Sequence, residues 1–260
     1  MTLVMGQNNK NKTGCRLTGF IKEKMKTIIH RSKDRGHADH GWLNAHHSFS
    51  FANWYDPAKI HFGLLRVLND DLVQGGQGFG MHPHNDMEII TIILEGALQH
   101  KDNMGNGSVI KPGDVQVMSA GTGVMHSEFN PSPTEQTNLF QLWIFPKETG
   151  IKPRYDQKTF SVEERKNKIQ TVASGFKKNG ELYIHQDAAL ALTNLDGGKS
   201  IQYRLSKPGN GAYVMVISGT VEINGEKLSK RDAIGISETE KFDIIAVENS
   251  ELLIVDVPMN

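Results

Sequence analysis

The chain has 260 residues, of which 38% are hydrophobic and 22% charged, so it is long enough for one large domain or two of ordinary size. Lysine plus arginine and aspartate plus glutamate each number 29, and this zero net charge argues against a general polyanion binder. One cysteine excludes an intrachain disulfide, and no apolar run approaches the length of about 18 residues that a spanning helix needs. We therefore expect a cytoplasmic protein that binds neither nucleic acid directly nor a membrane.

Residues 1–24 are polar and basic and lack the apolar stretch of a signal peptide, so we expect a flexible N-terminal extension there. An ordered pattern begins at residue 25, and strand signals then dominate. Short segments rich in β-branched or aromatic residues predict strands over 60–68, 87–94, 115–118 and 139–145. Turn signals lie between them, at Asn69-Asp70-Asp71, 75–78, 111–114 and 130–133.

The second half of the chain repeats this pattern. A polar stretch over 147–179 is predicted to connect the halves, and a second β-rich stretch runs from 182 to 257. In each half an apolar strand runs into a glycine before a short hairpin, and Asn224-Gly225 marks the second hairpin. We therefore predict an all-β protein of two tandem jelly-roll β-barrels, with a first domain over 25–155 and a second over 156–260.

Two short motifs in the first half carry metal-binding side chains at alternate positions, His82-Pro83-His84 and His126-Ser127-Glu128. In a β-strand, residues two apart point to the same face, so each motif aims two donors at one point. Two such strands facing each other across a barrel would supply three imidazoles and one carboxylate. This set suits a first-row transition ion, and in an octahedral ion it leaves coordination positions open for chemistry.

The histidines are distributed unevenly between the halves. Ten of the eleven lie before residue 127, and only His185 lies in the second half. The second-half positions that correspond to the ligands are Gly211, Ala212 and Tyr213, which cannot form a nitrogen–oxygen metal site. We therefore expect a metal only in the N-terminal barrel, while the second barrel packs against it or shapes the mouth of its cavity.

The first half resembles the cupin superfamily, because the spacing of Gly76, His82-Pro83-His84 and Glu88 follows the first cupin motif. The second motif is also present, although Gly121 stands where it usually has proline. The amino-acid sequence is more specific over 36–51, 78–84 and 118–128. There it resembles the pirin family, above all the bacterial members described as quercetin 2,3-dioxygenases. The resemblance implies a bicupin fold with a metal in the N-terminal barrel alone.

The pirin resemblance implies His82, His84, His126 and Glu128 as the ligands of one divalent transition-metal ion. Iron is the first expectation, and nickel, cobalt, copper, manganese or zinc are alternatives. The general cupin motif takes its carboxylate from the position of Glu88 instead. We favour Glu128 as the ligand, and interpret Glu88 as a hydrogen-bond acceptor that orients a ligand imidazole.

The resemblance also implies an activity, the cleavage of flavonols such as quercetin with O₂, which releases carbon monoxide and leaves a depside. Glu128 would take the proton of the flavonol 3-hydroxyl as a general base. Five apolar residues near the motifs are candidates for the cavity wall, although a place in the barrel core is the simpler expectation for each: Phe49, Phe51, Trp54, Phe79 and Met81. We expect a monomer whose partners are the flavonol-like substrate and O₂.

Two other functions are compatible with the same site. One is a pirin-like binding protein that senses the redox state of its metal and contacts transcription regulators. The other is a different reaction, such as isomerisation or hydrolysis, on the same fold. An open metal position beside a substrate-sized cavity favours an enzyme, whereas a capped ion beside a flat charged face favours the sensor.

Overall fold

The computed structural model describes residues 25–176 and 180–260, so the extension expected over 1–24 lies outside the described residues. Within these ranges helix is confined to two 3₁₀ turns, Ser32–Asp34 and Glu163–Arg165, and none is long and apolar enough to cross a membrane. The strands up to residue 160 are β1 (Lys26–His30), β2 (Gly36–Asp39), β3 (Leu43–His47), β4 (Leu65–Val73), β5 (Gly78–His84), β6 (Glu88–Glu95), β7 (Leu98–Asp102), β8 (Gly107–Ile110), β9 (Asp114–Ser119), β10 (Val124–Phe129), β11 (Thr137–Ile144) and β12 (Arg154–Thr159).

The strands after residue 160 are β13 (Gln170–Ser174), β14 (Leu182–Tyr183), β15 (Ala189–Leu195), β16 (Ser200–Arg204), β17 (Asn210–Ser218), β18 (Thr220–Ile223), β19 (Glu226–Ser229), β20 (Ala233–Ser237), β21 (Lys241–Ala246) and β22 (Ser250–Pro258). The predicted hairpin lies between β18 and β19. Asn224 and Gly225 both have positive φ, at 52° and 79°, as a two-residue hairpin turn requires.

Each half of the fold is a sandwich of a seven-stranded and a four-stranded antiparallel sheet. In the first half the sheets run β12-β9-β6-β11-β4-β3-β2 and β5-β10-β7-β8. In the second half they run β1-β20-β17-β22-β15-β13-β14 and β16-β21-β18-β19, with β13 and β14 the parallel exception. This confirms the prediction of an all-β bicupin fold.

The two seven-stranded sheets pack against each other, and the alternation along β6 shows how. Ile89 and Ile93 point into the first sandwich, where Ile93 packs with Leu98 of the four-stranded sheet. Ile90 and Ile92 point the other way, into a large apolar core shared with residues of β17 and β22. Strands that are buried on both faces read as continuous apolar runs, which is why β6 was visible in the sequence.

Two strands cross the predicted division of the chain at residue 155. The first strand, β1, pairs with β20 of the second sandwich, Ile28 opposite Gly235. At the other end, β12 pairs with β9 of the first sandwich, and Tyr155 lies within it. The prediction of a plain connection over 147–179 was therefore wrong, because β12 and β13 lie in it. As a polar strand at a sheet edge, β12 lacks the apolar alternation that predicts a strand.

The prediction of a turn at Asn69-Asp70-Asp71 was also wrong, since all three residues lie buried inside β4. The strand predicted over 60–68 is correspondingly shifted toward the C-terminus. Charge is tolerated here because Asp70 pairs with two guanidinium groups, Nε of Arg231 at 2.8 Å and Nη2 of Arg35 at 3.3 Å. Neither partner is a neighbour in sequence, so nothing local indicated a buried strand.

Candidate metal centre

The three predicted histidine ligands converge on one side of the four-stranded sheet of the first sandwich. His82 and His84 lie on β5, and His126 lies directly opposite His82 on β10. The ring centroids are 4.4 Å apart for His82 and His126, and 4.9 Å apart for His84 and His126. The two strands are thus neighbours in one sheet, whereas the sequence analysis predicts that they face each other across the barrel. Cross-strand pairing on one face produces the same convergence.

The predicted carboxylate lies on the same side as His126 because the two are alternate residues of β10. Beside them β5 has a bulge: one residue of β10 between His126 and Glu128 faces two residues of β5, so that Glu128 lies opposite Phe79. Potential donor atoms form two groups, each with all members within 4.8 Å of one another: His82, His84 and His126, and also His100, His126 and Glu128. His126 belongs to both groups and connects the four predicted ligands.

The protonation of the cluster suits a cation. Burial, and then the neighbouring imidazoles, lower the pKa of His84 to about 4 and that of His126 to about 3, so both rings are neutral, as ligands must be. His82 places Nδ1 at 2.7 Å from the carbonyl oxygen of Gly80, which can only accept, so its Nε2 keeps a free lone pair.

Two buried atoms of the cluster have no hydrogen-bond partner in the described part of the chain, Nε2 of His126 and Oε1 of Glu128. Burying a polar atom without a partner is costly, and a cation bound between the two would satisfy both. Burial also raises the pKa of Glu128 to about 7, against the hydrogen bond that it accepts from Gln141. A positive charge at this position would restore the ionised carboxylate. The residues present therefore fit a metal ion.

A row of polar side chains crosses the seven-stranded sheet beneath the cluster. Its members lie at one register on β9, β6, β11, β4 and β3: Gln116, Thr91, Gln141, Asn69 and His47. Oγ1 of Thr91 donates to Oε1 of Gln141 at 3.0 Å, so the amide nitrogen of Gln141 faces Oε2 of Glu128, also at 3.0 Å. The row thereby fixes the direction of the carboxylate.

Glu88 lies on the other side of this sheet, away from the imidazoles. Its Oε2 accepts hydrogen bonds from Oγ of Ser119 at 2.9 Å and from the backbone N–H of His185, in the second sandwich, at 3.0 Å. Glu88 is four residues after His84 but does not point to the same side, because the chain turns between β5 and β6, where Asp86 has a φ of 44°. Glu88 thus takes part in the contact between sandwiches and in neither group of donors.

A cavity of about 270 Å³ opens beside His82, His84 and Glu128. Of the five apolar candidates, Phe51 and Phe79 line it. The other three do not: Phe49 packs in the core between the sandwiches, Met81 is 56% exposed, and Trp54 lies against Gly36. The cavity is closed further by Leu43, Ala45 and Trp143, so its wall is mainly apolar.

Besides Gln141 and Trp143, sequence reasoning missed two residues with ionisable side chains here. Asp71 lines the cavity in a row whose other members are Ile93, Leu139 and Ala45. Burial, and then the charges of Asp70 and Glu128, raise the pKa of Asp71 to about 8, so that it holds a proton near neutral pH. A carboxyl in an apolar row gives no signal in the sequence, because the row exists only across strands.

The second missed residue is His100, which is fully buried on β7. It lies opposite Glu128, and Asp102 lies opposite His126. The alternation rule that predicted the other motifs would have found this pair, since His100 and Asp102 are also two residues apart on one strand.

The chain is similar to known proteins over most of its length. The family Pirin matches residues 29–144, and the family described as Quercetinase C-terminal cupin domain matches residues 171–257. The chain is 44% identical over 230 residues to a quercetin 2,3-dioxygenase of Escherichia coli, covering 88% of this chain and 98% of that protein. It is 46% identical to a pirin-like protein of Caulobacter vibrioides, covering 85% and 95%.

A solved structure extends the comparison to the metal. The crystal structure of the bacterial pirin YhhW from Escherichia coli in complex with nickel(II) matches with a TM-score of 0.85 and 43% identity. The match covers 90% of this chain and 99% of that one. Relatives of this kind support a dioxygenase-like cupin function and a buried site that could hold a metal.

Proposed function

The chain belongs to the pirin family, and from this premise and the geometry above we propose that it is a metal-dependent dioxygenase that cleaves flavonols such as quercetin. The net reaction consumes O₂, releases carbon monoxide and leaves a depside. One observation carries the proposal: the apolar cavity opens directly onto His82, His84 and Glu128. A redox sensor would need no such opening, so the cavity supports the enzyme over the binding protein.

In this proposal His82, His84, His126 and Glu128 hold one divalent transition-metal ion. Three nitrogens and one oxygen suit iron, which we propose first, and suit nickel equally well as donors. When bound, the ion supplies Lewis-acid chemistry, which lowers the pKa of a flavonol 3-hydroxyl. Its identity depends on metal supply as much as on these ligands.

The residues of the chain position the substrate and handle its proton. Phe51 and Phe79 form apolar walls that hold flat aromatic rings and exclude water. The carboxylate of Glu128 accepts the proton of the 3-hydroxyl as a general base. Asp71, as a protonated acid, donates a hydrogen bond to an oxygen of the bound substrate. That the protein acts as a monomer and binds neither nucleic acid nor a membrane stays a prediction.

The test is quercetin turnover by protein reconstituted with iron or with nickel, with and without O₂, scored by release of carbon monoxide. We expect oxygen-dependent release that disappears in Glu128→Ala. His126→Ala removes one nitrogen donor and should lose both stoichiometric metal and activity. Absence of turnover at full metal occupancy would reject the flavonol substrate, and full activity with stoichiometric metal in His126→Ala would reject the site.

A further inference from the structure

We infer that His100 and Asp102 form a positioning relay that holds His126 in the tautomer with a free Nε2. The inference rests on the proposed metal site, because it assigns these two residues a role only through His126. Neither residue touches the cavity. The relay would explain why a histidine and an aspartate are buried directly behind a ligand.

The strand pairing brings the three side chains into line. β7 lies next to β10, with Asp102 opposite His126. Nε2 of His100 lies 3.2 Å from Oδ2 of Asp102, and Nδ1 of His100 lies 3.5 Å from Nδ1 of His126, at the long end for a hydrogen bond. The side chains of His100 and Asp102 are completely buried.

Asp102 is held as an acceptor. Its Oδ1 accepts the backbone N–H groups of Met104 and Asn106, both at 2.9 Å. Its Oδ2 accepts the side-chain amide of Asn106 at 2.8 Å, in addition to facing His100. A carboxylate that receives three N–H groups stays ionised, so the ring nitrogen that faces it must carry a hydrogen.

The hydrogen on Nε2 of His100 determines the rest of the chain of contacts. Complete burial disfavours an imidazolium, so Nδ1 of His100 bears the lone pair. His126 must then donate from its own Nδ1 across the 3.5 Å contact. Nε2 of His126 is left with its lone pair, and this is the buried atom that has no partner among the described residues. His82 reaches the same tautomer through the carbonyl of Gly80.

The plane of the relay is fixed by Tyr155. Its ring stacks on His100 with centroids 4.6 Å apart and an interplanar angle of 24°. The hydroxyl of Tyr155 is itself held, because it donates to Oε1 of Gln157 at 3.0 Å. A tilt of the His100 ring out of this plane would lose the stack.

The same atoms allow one competing role, in which His100 is itself a ligand together with His126 and Glu128. We favour the relay because Asp102 already engages Nε2 of His100, and because the cavity opens beside His82, His84 and Glu128 and not beside His100. The two roles differ in the number of imidazoles bound to the ion.

The sharpest variant is Asp102→Asn, which keeps the shape of the side chain and replaces one acceptor oxygen by an NH₂ donor. The amide oxygen would keep the backbone N–H groups at the Oδ1 position, so the NH₂ group would face His100. That reverses the hydrogens of the relay and places a hydrogen on Nε2 of His126. We expect affinity for Ni(II), measured by competition with a chelator, to fall by about 10- to 100-fold.

Two variants of His100 test the same point without Asp102. His100→Gln keeps a donor near the Nε2 position and loses the acceptor that faces His126, so it should weaken Ni(II) binding similarly. His100→Asn keeps a carbonyl near the Nδ1 position and should stay close to wild type. In the His100→Asn background, Asp102→Asn should have no further effect. Thermal melting of the metal-free proteins identifies any loss that reflects unfolding, and the comparison of His100→Gln with His100→Asn is made at matched stability.

The outcomes separate the inference from the proposed function. Wild-type Ni(II) affinity in both Asp102→Asn and His100→Gln overturns the relay. So does the loss of one imidazole from the ion in His100→Gln, seen by X-ray absorption, because His100 would then be a ligand. His126→Ala is the reference. If this variant binds Ni(II) like wild type, the assignment of the metal site is wrong. If it loses the metal while Asp102→Asn and His100→Gln keep wild-type affinity, the site stands and only the relay is overturned.

Discussion

The side-chain amide of Gln141 donates to Oε2 of Glu128 at 3.0 Å and accepts from Thr91 on its other side. The carboxylate is therefore oriented by the opposite sheet and not by its own strand. Gln141→Leu should leave Glu128 free to rotate and weaken Ni(II) binding by about 10- to 100-fold, because partners of a ligand typically contribute this much. Chelator competition measures it. Gln202→Leu, on the exposed strand β16, is the control, and equal affinity in both variants would contradict the role of Gln141.

The carboxyl of Asp71 should make stability depend on pH. Its pKa rises from the ordinary 3.8 to about 8 on folding because it is buried, so between these values the native state holds more protons than the unfolded state. The free energy of unfolding should fall as pH rises through this window, by about 1.4 kcal/mol per unit, and become level above pH 8. Asp71→Asn lacks this carboxyl. Urea unfolding of the metal-free proteins should show that the free energy of unfolding of Asp71→Asn increases relative to that of wild type as the pH rises. The same pH dependence in both proteins would refute the prediction.

Mutation should distinguish Glu128 from Glu88 as the carboxylate that binds the metal. Glu128→Gln should lose stoichiometric metal, whereas Glu88→Gln should retain it. Burial raises the pKa of Glu88 to about 7, against hydrogen bonds from His185 and Ser119, so the neutral amide should also be the more stable side chain above that pH. Metal content by mass spectrometry decides the first point. Loss of metal in Glu88→Gln would restore the general cupin assignment.

The ion pair between the sandwiches should contribute strongly to stability. Asp70→Asn leaves Arg35 and Arg231 without their carboxylate, and breaking a buried pair costs about 3–5 kcal/mol. The matched control is Glu240→Gln, which breaks a pair with Arg204 in which the side chains are 84% and 63% exposed. That change should cost less than about 1 kcal/mol. Chemical denaturation compares them, and similar losses would show that the buried pair has no special weight.

The parts of the site that were visible in the sequence are those that lie within one strand. His82 and His84, or His126 and Glu128, are two residues apart, and the alternation of a strand is enough to join them. Gln141 and Asp71 act through the register of neighbouring strands, which no local pattern specifies. For the same reason the acidic residues of β4 resembled a turn, although Arg231, 161 positions away from Asp70, makes them part of a buried strand.

The pairing of β1 with β20 also has a consequence for biosynthesis. Ile28 leaves the ribosome about 200 residues before Gly235, its partner in the sheet. At a synthesis rate of about 5–20 residues per second, β1 remains without its partner strand β20 for roughly 10–40 s. The first barrel contains only strands that end by residue 159 and can form early, whereas the second needs both β1 and β20 and should be completed only near the end of translation.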